Sequence, residues 1–211
     1  LPEAACTVWS TVVMGAGLRQ GQVLLVHGGG GGIGTHAIQV GKALGATVAV
    51  TAGYENKLAH CRDLGADITI DYKNSDFVEE LRKATGGHGA DIILDNMGAS
   101  YLDRNIDALA DDGQLVVIGM QGGLVGELNL GKMLGKRACV SAAGLRSRPT
   151  TGNAGKAAIV EDVRARLWPL IAEGAVTPVV HAELPITEAV RGHDLLNSAD
   201  TVGKVVLTIP R

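Results

Sequence analysis

From Val23 to Gly34 an apolar run, Val23-Leu24-Leu25-Val26, meets His27 and then six glycines interrupted only by Ile33. Few folds accept that order of residues. The apolar run has the length of a buried strand, and Ala37, Ile38, Val40, Ala43 and Leu44 beyond the glycines recur at helical spacing. Gly29, Gly31 and Gly34 satisfy G-x-G-x-x-G between the two elements, the context a dinucleotide-binding fingerprint requires. A diphosphate approaches the backbone closely only where no Cβ intervenes, and the free amides opening the next helix supply donors with partial positive charge. Gly34 lets that helix lie close against its strand. A flexible glycine-rich turn is the alternative; the strand before, the helix after and a second strand from Thr47 argue for nucleotide binding instead.

The alternation continues along the chain. Pro2 suits a first helical turn, and Ala5, Val8, Trp9, Val12 and Val13 form an apolar stripe ending by Gly15 or Gly17. Further strands are predicted over 47–51, 68–71, 90–95, 114–118 and 137–143. Between them lie a helix stopping at Gly45, one carrying Leu58, Cys61 and Leu64, one opened by the capping-box spacing of Asp76 and Glu79, one with Leu102, Ile106 and Leu109, and a short one over 128–134. Parallel neighbours need crossovers, so the pattern predicts an α/β fold, a doubly wound parallel six-stranded Rossmann sheet with helices on both faces. The polar stretch 146–153 divides a dinucleotide-binding unit with its leading helix, 1–150, from C-terminal elements over 151–211 that complete it. These are a long helix with Ile159, Val163, Leu167 and Ile171 that Pro169 is expected to kink or break, a strand over 179–184, a helix capped by Thr187 and a last strand over 205–209.

Composition narrows the function classes. With 211 residues, 46% of them hydrophobic, the chain can bury a core, and 30 glycines against 3% aromatics suit tight strand-to-helix turns. A formal net charge of −3 leaves no footprint for nucleic acid. Cys6, Cys61 and Cys139 stand singly and are read as buried small residues, neither disulfides nor metal ligands. No apolar run approaches the roughly 18 residues of a membrane span and no signal-peptide pattern opens the chain, so no membrane partner and a cytoplasmic location are expected. The start at Leu1-Pro2-Glu3 reads as the middle of a longer chain. The absence of a G-x-S-x-G elbow and of an H-E-x-x-H pair argues against hydrolase and metalloprotease chemistry. Among the six histidines, His193 shares an apolar helix face with Ala189, Val190 and Leu196 and is read as core, and His27 as a structural residue beneath the loop.

Ligands of such a sheet sit beyond the carboxyl ends of its strands, where strand order reverses. About 20 residues past the glycines, NAD-preferring domains place an Asp or Glu on the ribose hydroxyls; Thr51, Ala52, Gly53 and Tyr54 offer none. Lys57 and Tyr72 bring a cation and a phenol within range of a 2′-phosphate, which favours NADPH over NADH, while Glu55 argues mildly the other way. The bland alternatives are a solvated helix lysine and an edge aromatic. Asp95-Asn96-Met97-Gly98 and Gly119-Met120 frame the path from adenosine to nicotinamide, with a helix cap as the alternative role for Asp95 or Asn96.

Val26 to Gly34, Leu64-Gly65-Ala66-Asp67 and Asp112 to Gly119 resemble the medium-chain dehydrogenase/reductase superfamily, in its quinone oxidoreductase branch. Leu1-Pro2-Glu3 with Thr7-Val8-Trp9, and Lys136-Arg137 with Leu145 to Pro149, look like the p53-inducible type of that branch. The resemblance implies zinc-independent transfer of hydride from NADPH to a quinone, with an enoyl reductase of the same superfamily or a non-catalytic NADP-binding module as rivals. It implies a cofactor site running from Gly29, Gly31, Gly32, Ile33 and Gly34 through Gly53, Tyr54, Lys57 and Tyr72 to Asn96, Met97, Gly119 and Met120, with Thr7 near the nicotinamide. Tyr54 departs from the small hydroxyl residue common there, and Asp200 to Lys204 lacks the basic or histidine residue that some relatives carry before Gly-Lys. The resemblance also implies a homodimer through the sixth strand and a preceding GroES-like catalytic domain that supplies most catalytic residues, so the segment from Val176 onward is expected to expose an apolar face.

Overall fold

The computed structural model describes residues 1–209. The chain opens with α1 (Pro2–Val8), Pro2 taking a first-turn position that needs no amide donor, and continues as a wider turn over Trp9–Val13 in which the Met14 N–H reaches the Trp9 carbonyl. Strands and helices then alternate: β1 (Val23–His27), α2 (Gly32–Ala43), β2 (Thr47–Ala52), α3 (Glu55–Asp63), β3 (Ile68–Asp71), α4 (Phe77–Ala84), β4 (Ala90–Asp95), α5 (Leu102–Ala108), β5 (Leu109–Val117), α6 (Leu130–Lys136) and β6 (Cys139–Ala142). The six strands form one parallel sheet in the order β3-β2-β1-β4-β5-β6. This is the doubly wound Rossmann arrangement. The chain winds outward from β1 to β3 and returns to β4 on the other side, so strand order reverses between β1 and β4.

Strand periodicity divides the core. Leu24 and Val26 of β1 join Trp9, Ile38, Val48, Val50 and Ile92 on one face, whereas Val23 and Leu25 join Phe77, Leu81, Ile93, Ile106 and Leu115 on the other. Both faces are covered, so β1 is buried at all five positions. Each fully buried Leu or Ile contributes about 1.5–3 kcal/mol. α4 starts where its cap predicts, the Asp76 carboxylate accepting from the Val78 and Glu79 amides at 2.8 and 3.3 Å.

Past β6 come α7 (Lys156–Asp162), a second wide turn over Val163–Leu167, α8 (Trp168–Ala172), β7 (Val180–Pro185), α9 (Ala189–Leu196) and β8 (Lys204–Thr208). Ile159, Val163, Leu167 and Val176 enter the same core as Trp9, and the Trp9 indole N–H donates to Asp162 Oδ2 at 2.6 Å. β7 and β8 pair in parallel as a separate two-stranded sheet. Val180, Ile186, Val190, Leu196, Val206, Leu207 and Ile209 are all exposed in this segment. No helix among the described residues is long and apolar enough to cross a membrane.

Several expectations are corrected. The irregularity expected at Pro169 falls just before it: α7 ends at Asp162, the wide turn puts the Trp168 N–H on the Val163 carbonyl, and Pro169 stands in the first turn of α8, where its missing donor is tolerated and which runs on to Ala172. Thr187 does not cap α9: it lies inside a short 3-10 turn over Ile186–Glu188, and the cap position falls to Glu188. His193 is exposed, since only Gly192 of α9 packs closely on Leu184, Val205 and Leu207. Cys139 is exposed and Cys6 half-buried, so only Cys61 is a buried thiol. β6 begins at Cys139, not Arg137, because Arg137 closes α6 in the left-handed conformation at φ 54° with its guanidinium on Asp112. β5 begins earlier than 114, pairing Leu109 with Ala90 before an irregularity that includes Asp112 at φ 61°.

Candidate dinucleotide-binding site

Between the carboxyl ends of β1 and β4 the glycine loop is tied into place by its own backbone. The Gly29 N–H bonds to the Thr51 carbonyl at 2.9 Å, the Gly31 N–H to the Gly28 carbonyl at 3.0 Å, and the Gly30 carbonyl accepts from Gly203 at 2.9 Å. At Gly29 a Cβ would lie 2.8 Å from the Val50 Cβ, and at Gly34 it would lie 2.3 Å from the Gly28 carbonyl oxygen and 2.7 Å from the Gly29 Cα. Gly34 is where helix meets loop. Gly31 caps α2 with no side-chain bond, so the amides of Gly32, Ile33 and Gly34 open the helix free of a side-chain acceptor, unlike those of α4 beneath Asp76.

His27 lies beneath this loop, buried against the edges of Phe77 and Tyr101. Its Nε2 donates to Asn105 Oδ1 at 2.7 Å and its Nδ1 accepts from the Thr51 hydroxyl at 3.0 Å. Burial lowers its pKa to about 4, overriding the opposing Asn105 bond, so the ring is neutral at pH 7. Both ring nitrogens are occupied, Nδ1 tying the end of β1 to β2 and Nε2 tying it to α5, which is a structural role.

On the β4 side, Asp95 is buried and accepts from the Met97 and Gly98 amides at 2.8 and 3.0 Å. Burial pushes its carboxyl up while these two amide bonds pull it down. It shapes the turn. Asn96 points its amide at the loop: Nδ2 lies 2.8 Å from where a Gly28 Cβ would stand, and its buried Oδ1 has no partner. Gly119 lies against the Asn96 backbone, 2.8 Å from its carbonyl oxygen at the Cβ position, and Met120 is exposed next to it. The Asn96 amide, set beside the glycine loop with its Oδ1 unsatisfied, fits a ligand that brings hydroxyl or amine donors.

The β2–β3 edge carries the remaining candidates. Ala52 pairs with Asp71, so Gly53-Tyr54 and Tyr72-Lys73 leave the sheet side by side. A Gly53 Cβ would lie 2.8 Å from the Tyr72 hydroxyl, and the Lys57 stem lies over Gly30, its Cδ 3.0 Å from the Cβ position. The Lys57 ammonium stands 5.8 Å from the centroid of the exposed Tyr54 ring. The Lys73 ammonium, by hydrogen bonding first and then by charge, holds the Tyr54 phenol below its ordinary range.

The structure thus brings together the glycine loop, Ile33, Gly53, Tyr54, Lys57, Tyr72, Asn96, Met97, Gly119 and Met120 along one edge of the sheet. Thr7 lies on α1, which packs on α2; its carbonyl accepts from the Thr11 hydroxyl at 2.7 Å, and no hydrogen bond among the described residues joins its side chain to the loop. Two lysines escape sequence reasoning. Lys73 sits over Tyr54 with 3.6 Å from ammonium to ring centroid, and the Lys204 stem lies across Gly32, brought there by the pairing of Gly203 with Gly31. Lys73 follows Tyr72 directly in the sequence, a local signal; the Gly31–Gly203 pairing has none. Among the described residues no three His, Cys, Asp or Glu side chains gather as a metal-ligand set.

The chain is similar to proteins of known family. Residues 32–158 match the model of the zinc-binding dehydrogenase family. The 2-haloacrylate reductase of Burkholderia sp is 29% identical over 192 residues, 90% of this chain and 56% of that protein. A solved NAD-dependent alcohol dehydrogenase is 34% identical with a TM-score of 0.83, over 100% of this chain and 57% of its own. The quinone oxidoreductase of Escherichia coli, solved with NADPH, is 29% identical with a TM-score of 0.85, over 97% of this chain and 62% of its own. The chain therefore spans a little over half the length of these relatives.

Proposed function

Because this chain belongs to the zinc-binding dehydrogenase family, within the medium-chain dehydrogenase/reductase superfamily, we propose that it binds NADPH as the cofactor half of a reductase acting on a quinone or similar conjugated carbonyl acceptor. One observation carries this reading: the glycine loop, in which Gly29 and Gly34 leave no room for a Cβ, stands at the β1/β4 reversal ahead of the uncapped amides of α2, with the Asn96 amide beside it. In this account the diphosphate lies on the Gly32, Ile33 and Gly34 amides, and Asn96 orients the middle of the cofactor. Met97, Gly119 and Met120 line the way to the nicotinamide, with Thr7 near the ring. Bound nicotinamide supplies the hydride; the protein holds and aims it.

Lys57 and Tyr72 support a 2′-phosphate, and the similar Escherichia coli enzyme was solved with NADPH, although the similar alcohol dehydrogenase is described as NAD-dependent. The likeness to a quinone oxidoreductase supports the acceptor class. A second reading, reduction of a conjugated carbon–carbon double bond as in an enoyl reductase, is favoured by the likeness to 2-haloacrylate reductase. The proposal routes no step through zinc. The exposed apolar side chains between Val180 and Ile209 are where a catalytic domain would pack, and β6, an open sheet edge, is where a second copy would pair in a cytoplasmic homodimer.

Calorimetric titration with NADPH and NADH at one salt concentration tests the cofactor assignment. NADPH is expected to bind more tightly, and Lys57→Ala to weaken NADPH by about 10- to 100-fold, the worth of a charge-assisted bond, while leaving NADH unchanged. An unchanged ratio in Lys57→Ala would contradict the assignment of Lys57.

A further inference from the structure

We propose that Lys73 is a second cation for the 2′-phosphate, held in reserve on the face of Tyr54 and acting with Lys57 to set the preference for a phosphorylated dinucleotide. The proposal rests on the reading of the glycine loop as a dinucleotide site and goes beyond it in assigning the specificity to a pair.

The geometry converges on one ring. Parallel pairing of Ala52 with Asp71 delivers Tyr54 and Lys73 to the same edge from neighbouring strands, while Lys57 reaches it from the first turn of α3. The Lys73 ammonium lies 3.6 Å and the Lys57 ammonium 5.8 Å from the Tyr54 centroid. Neither forms an ion pair with a carboxylate among the described residues, whereas Lys42 and Lys132 of the same domain each do. Of the carboxylates nearby, Asp200 accepts from Asn56 Nδ2 at 3.2 Å and Asp71 from the Asn74 side chain at 2.7 Å, and neither forms an ion pair with these lysines. Two like charges drawn to one exposed ring are an unfavourable arrangement that a dianion relieves.

Position and charge balance point the same way. The Lys57 stem crosses Gly30 of the diphosphate loop, and the Lys73 Cε lies 2.9 Å from where a Gly53 Cβ would stand, so the two stems border the space between the loop and the end of β2. The Lys73 backbone is anchored, its N–H bonded to Asp71 Oδ1 at 2.9 Å, which fixes the root from which the side chain swings. A phosphate monoester carries a charge of about −1.5 to −2 at neutral pH, more than Lys57 alone neutralises. A cation on an exposed ring is held more weakly than one bonded to phosphate, so the anion draws Lys73 off Tyr54. Tyr54, where a smaller residue would leave the lysine free in solvent, keeps it within reach.

Titration of wild type, Lys73→Ala, Lys73→Arg and Lys57→Ala with NADPH and with NADH tests this. Lys73 is exposed, and unchanged thermal melting establishes that each variant is folded. Lys73→Ala is expected to lose about tenfold in NADPH affinity with NADH unchanged, to show a weaker salt dependence of NADPH binding, and to be rescued by Lys73→Arg. If Lys73→Ala keeps the NADPH-to-NADH ratio within about twofold while Lys57→Ala collapses it, the proposal is overturned and the dinucleotide site stands. A wild type that binds both cofactors equally also overturns it. A wild type that binds neither overturns the underlying reading as well.

Discussion

Gly34→Val is expected to remove dinucleotide binding and to lower stability by up to about 3 kcal/mol, the upper end of what overpacking costs in a closed core. The Cβ would meet the Gly28 carbonyl oxygen at 2.3 Å and the Gly29 Cα and carbonyl oxygen each at 2.7 Å. These are backbone atoms, so no flexible side chain can swing aside. Helix α2 must move off the loop, and the Gly32, Ile33 and Gly34 amides move with it. For a domain near this size the loss appears as a melting shift of about 6–12 °C, and NADPH affinity falls more than about 100-fold. Gly31→Ala is the matching control. Its Cβ meets only the Gly28 carbonyl oxygen, at 3.4 Å, so it should melt like the wild type yet bind less well, because the methyl stands where a diphosphate approaches. Normal binding by Gly34→Val would place the ligand elsewhere.

Trp9→Ala is expected to cost about 3–5 kcal/mol, the range for emptying a buried aromatic site. The indole is 1% exposed and packs with Leu24, Val26 and Ile38 of the sheet layer and with Ile159, Val163 and Leu167 of the C-terminal helix. Its N–H also satisfies Asp162, which would keep only Arg166 at 3.3 Å. We propose that 151–211 completes the unit formed by 1–150, and Trp9 is the side chain that joins them. Urea unfolding of Trp9→Ala should remain a single transition at lower midpoint, and Trp9→Phe should recover most of the loss. A cost below about 1 kcal/mol, or two resolved transitions, would mean that the C-terminal helix folds independently of the sheet.

What could be read before the structure follows from how local each signal is. The order strand, loop, helix over Val23 to Gly34 is written in consecutive residues, and the alternation to β6 repeats it, so the sheet was legible. Asp76 was legible for the same reason: a cap acts on amides two and three residues away. Elements whose limits depend on partners were not. Arg137 leaves the sixth strand because its guanidinium finds Asp112 across the turn, and the break expected at Pro169 falls in the widened turn just before it. His193 lies on a helical apolar stripe, but that stripe borders a shallow hollow beside Val205 and Leu207 on a segment whose apolar side chains are largely exposed, so the imidazole stays in solvent. In the site, the glycines, Lys57, Tyr72 and Asn96 announced themselves by position after a strand. Lys204 did not, since only the pairing of Gly203 with the loop carries it over Gly32.

The central claim is that a dinucleotide lies on the amides of the glycine loop, and amide hydrogen exchange with and without NADPH tests it most directly. The account predicts slowed exchange at Gly32, Ile33 and Gly34, which open α2 without a side-chain cap, together with Asn96 to Gly98 at the end of β4. Binding accompanied by protection elsewhere, with these amides exchanging as fast as in the free chain, would contradict it.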